Sequence, residues 1–188
     1  MIEQLLIAGK LAEGTALAFL LVRTTDDPGL APWADRDQRV ADAAQFLVEA
    51  PSVDEALRRE VQVAAECAGC HAAAQVARTL RPAPAVVADD GTRATRMARH
   101  VWAVDRLWEG LVTPSDERWT RGLEVLASAP MPFSARSDAP LLAAQLQKIA
   151  QHQLAGRAAS DLDDHAAAYG DLLVTCTACH ASLHVTLR

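Results

Sequence analysis

Two pentapeptides in the chain place thiols beside an imidazole: Cys67-Ala-Gly-Cys70-His71 and Cys176-Thr-Ala-Cys179-His180. On a helix, residues three apart share a face. That spacing brings Cys67 and Cys70, and likewise Cys176 and Cys179, within reach of the two vinyl groups of one porphyrin. The histidine that follows can swing under the ring and bind iron. Cys-x-x-Cys-His is the pattern of c-type haem attachment. The expectation is two covalently attached haem c groups held by Cys67, Cys70, Cys176 and Cys179, with His71 and His180 as proximal iron ligands. One such pentapeptide can arise by chance; two that use all four cysteines of the chain carry far more weight. Two Cys-x-x-Cys pairs could also make a zinc site, but that leaves the histidine after each pair unexplained. A thioredoxin-like redox pair needs a βαβ context that the sequence lacks.

The elements that must position these residues read as helices. Half of the chain is hydrophobic (51%), alanine is abundant and β-branched runs are short, a composition that favours helix over strand. Residues 2–23 carry Leu5, Ala8, Leu11, Ala12, Thr15 and Phe19 at three-to-four spacing, one amphipathic helix. A loop over 24–32 follows, then a helix over 34–50 that Pro51 ends. Ser52-Val-Asp-Glu55 is a capping box and starts a third helix, which runs through Cys67 to about Leu80. Further helices are expected over 94–112, over 117–128 after an N-cap at Ser115, over 141–154, and from Ser160 onward through Tyr169, Leu172, Leu173, Cys176 and His180. Leu172, Leu173 and Leu183 extend an apolar stripe suited to packing on a porphyrin.

The Pro-rich, then acidic stretch from Arg81 to Gly91 is the best linker. It divides the chain into a first haem-binding helical half over 1–81, a linker over 82–91 and a second, four-helix haem-binding half over 92–188. Each half has an apolar helix, a helix started by tryptophan (Trp33, Trp119), an Ala-Pro stop (Pro51, Pro130) and a late Cys-x-x-Cys-His, the pattern of a diverged duplication.

Cys-x-x-Cys-His on the last helix of an antiparallel bundle resembles cytochrome c′ and its low-spin relatives, and residues 169–183 (YGDLLVTCTACHASL) carry the likeness. The resemblance implies an all-α fold of tandem antiparallel helical bundles, each half binding one haem near a bundle end. It also implies that the sixth ligand comes from the first helix of a bundle. In the second half that helix has Met97, His100, Val104, Leu107, Trp108 and Leu111 on one stripe. His100 is the leading distal candidate and Met97 the second. A histidine on an apolar face is more often a packed, hydrogen-bonded residue, and His100 stands out because a haem is expected opposite it. The first half offers only Lys10 at the matching position, a residue that rarely ligates iron. Its haem is then five-coordinate or borrows a ligand from the second half. His165 is about 22 Å along the helix from His180, too far to serve the same iron, and reads as a half-buried histidine. His152 and His184 read as solvent-facing. Trp102 and Trp108 are core residues that could flank a haem. Asp89-Asp90 and Asp163-Asp164 read as a loop and a cap.

The net charge of −6 argues against nucleic acid and anionic membrane as partners and suits redox partner proteins with a basic docking face. The apolar N-terminal stretch contains Glu3, Lys10 and Glu13 and is neither a signal peptide nor a membrane span. Haem attachment to this motif normally occurs outside the cytoplasm, so the protein is expected to be periplasmic or otherwise exported, with its native signal peptide absent from this chain. One-electron transfer by a di-haem c-type cytochrome is the first functional expectation. Gas binding or sensing at an open axial site is the alternative. A small peroxidase ranks last, because no acid–base pair accompanies the motifs, and the chain is read as non-enzymatic. The resemblance is also compatible with a homodimer.

Overall fold

A computed structural model describes residues 2–22, 28–75, 82–128, 138–156 and 161–183. The described residues are all-helical, without strands, in one packed bundle. The α-helices are α1 (Ile2–Ile7), α2 (Leu11–Ala18), α3 (Ala34–Val48), α4 (Val53–Ala74), α5 (Arg93–Val112), α6 (Asp116–Ser128), α7 (Ala139–Gly156) and α8 (Leu162–Ser182).

The N-terminal stretch differs from the single helix its periodicity suggests. Gly9 adopts φ +75°, and the amides of Gly9 and Lys10 turn back to the carbonyls of Leu6 and Leu5. This is the Schellman arrangement that ends helices at a left-handed glycine. It cuts the segment into α1, α2 and a 3₁₀ turn over Phe19–Leu21. The third helix ends at Ala74 rather than near Leu80, since Gln75 turns left-handed with φ 56°; residues 76–80 lie outside the described residues, as do 24–27 and 129–137 of the expected loops, while Pro28–Trp33 forms a 3₁₀ helix in place of the rest of the first loop. Ser52 accepts the amide of Glu55 as the capping box requires, while the Glu55 carboxylate pairs with Arg59 instead. The last helix is capped by Asp161, whose carboxylate and that of Asp164 make the reciprocal bonds of a capping box.

α5 to α8 pack in sequence, α5 on α6, α6 on α7 and α7 on α8, and α8 closes back on α5. α3 and α4 form a hairpin laid against this unit, with α4 on α8 and α5, and α1 touches both α4 and α8. One core runs through both halves of the chain: Leu47, Leu57 and Val61 join Leu107, Leu123, Tyr169, Leu172 and Leu173. The stretch over 82–92 lies along α5, held by Trp102 Nε1 donating to the Pro84 carbonyl (2.9 Å) and Arg99 donating to that of Val87 (2.7 Å). No helix of the described residues is long and apolar enough to cross a membrane.

The tightest joint is between α5 and α6. A Cβ on Gly110 would stand 2.6 Å from the backbone nitrogen of Trp119, and the Trp119 ring is buried beneath it. Gly110→Ala is therefore expected to cost about 1–3 kcal/mol, the usual range for overpacking, in urea unfolding. Wild-type stability would show that the two helices can part without penalty.

Candidate functional site

The second motif sits near the end of α8, where the bundle opens. Cys176, Cys179 and His180 are each half-buried and line a predominantly apolar cavity of about 810 Å³, open mouth included. Met97, His100, Val101, Val104 and Asp105 of α5 line the same space. Leu142, Ala143 and Leu146 supply a wall from α7, and Gln4 and Ile7 one from α1. Met97 and His100, the distal candidates that the resemblance implies, therefore line the space that holds the second Cys-x-x-Cys-His. Leu172 and Leu173 are instead fully buried in the core, and Thr175 takes the place beside Cys176 in the wall.

The electrostatics favour neutral groups. Burial, then the neighbouring Cys179, pushes the Cys176 thiol up to about 12. Burial also raises Cys179 and Cys67, with Cys70 and Glu66 adding to the rise at Cys67. Redox-active and metal-binding cysteines work as thiolates and are found where their pKa is lowered; these three sit in the opposite environment. Burial lowers the pKa of His180, which keeps the imidazole neutral, as metal ligation requires. Its Nδ1 is buried without a hydrogen-bond partner. Among the described residues, no group of three or more His, Cys, Asp or Glu side chains gathers to hold a metal ion, so the two cysteine pairs do not meet in a four-cysteine site.

The first motif closes α4. Cys67 packs partly against the core and Cys70 is half-buried. His71 reaches α5, where its Nδ1 lies 2.7 Å from the carbonyl oxygen of Val112, the last residue of that helix. The final carbonyls of a helix lack intrahelical donors, and a carbonyl can only accept. Nδ1 is therefore the protonated nitrogen, and in the neutral ring Nε2 carries the lone pair, the tautomer that an outer hydrogen bond typically fixes in a metal-binding histidine. Val112 is twelve residues beyond His100, about 18 Å of helix. The two motifs thus lie toward opposite ends of α5.

The remaining sequence candidates fall elsewhere. His165 stacks on Trp119 at 4.5 Å between ring centroids. Trp108 packs on Tyr169, Trp102 faces the 82–86 stretch, and neither tryptophan lines the cavity. His152 is exposed, Lys10 sits in the turn between α1 and α2, and His184 lies outside the described residues. A scan against models of known families, a search of curated proteins and a search of solved structures each return no match.

Sequence reasoning missed the wall from α1 and a buried acidic group behind the cavity. Glu60 of α4 is 1% exposed and Glu3 of α1 is 4% exposed, and Tyr169 beside them is fully buried. Burial, reinforced by Glu3, holds the Glu60 carboxyl well above its ordinary value of 4.5. The folded protein then keeps a proton that the unfolded chain releases above that value. Stability from this group is full below pH 4.5 and lost as pH rises toward the folded value, with a slope of up to about 1.4 kcal/mol per pH unit. Glu60→Gln is expected to flatten this decline in urea unfolding measured between pH 5 and 8; an unchanged slope would place the proton on another group.

Proposed function

We propose that the chain is a di-haem c-type cytochrome acting in one-electron transfer outside the cytoplasm, built as diverged tandem copies of a cytochrome c′-like helical unit, each with one haem c. The observation that carries the reading is the bundle-end cavity shared by Cys176, Cys179 and His180 of α8 with His100 and Met97 of α5. Haem there would supply a one-electron iron couple whose potential follows its axial ligands and its burial.

Each lining residue has a part in that reading. Cys176 and Cys179 would anchor the ring as thioethers and His180 would ligate the iron. His100 would supply a further ligand, with Met97 the second choice on the same face. Val101, Val104, Leu142 and Leu146 exclude water and lower the local dielectric. At the first motif Cys67 and Cys70 would anchor the group and His71 would ligate it, its ring aimed by the bond to Val112. A spacing of about 18 Å along α5 lets an electron enter near one end of the molecule and leave near the other. The net charge of −6 suits redox partners with a basic docking face, and covalent haem attachment places the protein in the periplasm or an equivalent exported compartment.

The test is the reduced absorption spectrum of protein made with an export signal and a haem-attachment system, before and after carbon monoxide. Sharp low-spin bands at the second haem that ignore carbon monoxide are expected in the wild type, and His100→Ala should make that haem newly responsive while leaving the first haem's response as it was. A wild-type second haem that binds carbon monoxide would move the reading to gas binding at an open axial site. A His100→Ala protein identical to wild type would remove His100 from the iron.

A further inference from the structure

On the other side of α5, the 82–86 stretch spans a second, polar cleft. It has a volume of about 890 Å³ with its mouth included, and its side-chain lining is Trp102 and Arg106 of α5 with Glu117, Arg118 and Arg121 of α6. By the helical period, Trp102 and Arg106 lie across α5 from Met97, His100 and Val104. The cleft is thus separate from the cavity that holds Cys176, and nothing about it depends on haem.

Arg106 sets its chemistry. The side chain is buried, with 5% of the residue exposed, yet a guanidinium stays charged and carries five N–H donors. Nη2 donates to the Glu109 carboxylate at 2.8 Å, while Nε and Nη1 are buried with no acceptor from the protein. A buried cation with idle donors is costly, and the missing component is an acceptor, best a charged one. Arg118 binds the other oxygen of the same Glu109 carboxylate, so one negative charge is shared between two guanidiniums. Arg121 stands at the rim. Its pair with Glu124 at 3.2 Å joins two largely exposed side chains, a contact that water screens and a ligand can displace. Trp102 lies under Arg106 at 5.5 Å and steadies the guanidinium. Among the described residues Glu117 is the single carboxylate in the lining and is exposed, which disfavours an extended polyanion and leaves room for a compact one.

We propose that this cleft binds a small oxyanion, a phosphate or a carboxylate, seated on Arg106 and closed over by the 82–86 strap. The anion would join the strap, which leads from the first motif into α5, to the α5–α6 hairpin. Its oxygens would accept from the two idle nitrogens of Arg106, with Arg121 adding charge at the mouth.

The experiment is thermal unfolding of the full chain in inorganic phosphate, in acetate and in chloride at one fixed ionic strength, with titration calorimetry using the anion that acts. Phosphate or acetate is expected to raise the midpoint saturably over chloride, and which of the two does so identifies the ligand class. Arg121→Ala, at an exposed position, should leave the midpoint in chloride unchanged and weaken binding about threefold to fivefold. Arg106→Lys keeps the charge but loses the guanidinium's donors, and should weaken binding about tenfold or more. Midpoints that coincide in all three salts, or equal affinity in wild type, Arg121→Ala and Arg106→Lys, would overturn the proposal.

Discussion

The helical pitch of α8 is the constraint on which the site depends. At 3.6 residues per turn, Cys176, Cys179 and His180 fall within a sector of about 100°, so one side of one helix carries all three into the same space. This holds only while α8 stays regular from its Asp161 cap to its end. The buried run of Ala166, Ala168, Tyr169, Leu172 and Leu173 secures that regularity by fixing the same side of the helix in the core over the turns before the motif. The helix is thus locked along its first four turns and faces open space along its last.

The rest of the bundle leaves that space open. α5 and α6 approach closely enough for Gly110 to meet the Trp119 backbone, which pins α5 at its C-terminal end. Toward its N-terminal end α5 faces α7, α8 and α1 across the cavity, with Val101, Val104, Leu142 and Leu146 as the apolar surfaces. This apolar lining is open to solvent and forgoes the dispersion contacts that a closed core would give it. Behind it lie Glu60, Glu3 and Tyr169, polar groups away from water. The fold therefore carries two local costs, an unpacked apolar cleft and a buried carboxyl, as functional sites often do.

Much of this was legible from residue spacing. The motifs are readable outright, and the resemblance to cytochrome c′ pointed to the helix over 94–112, whose 3.6-residue period puts Met97 and His100 on one stripe. The helices expected over 34–50, 117–128 and 141–154 from their periodicity and stops match α3, α6 and α7 to within about two residues at each end. What escaped were features set by contacts distant in sequence. Nothing local marks Gln4 and Ile7 as lining for a cavity that belongs to α8. The bond from His71 to Val112 joins residues 41 apart and depends on where α5 happens to end. The break at Gly9 was hidden because the apolar period runs on through it, and only the positive φ that glycine permits reveals two helices in place of one.

The central claim is that each Cys-x-x-Cys-His carries one covalent haem, and intact mass of the denatured, exported protein measures this most directly. The account predicts the mass of the polypeptide plus two haems, falling by one haem when Cys176 and Cys179 are both changed to alanine, and by the other when Cys67 and Cys70 are. A polypeptide mass with no haem, from cells that attach haem to a control cytochrome, would contradict it.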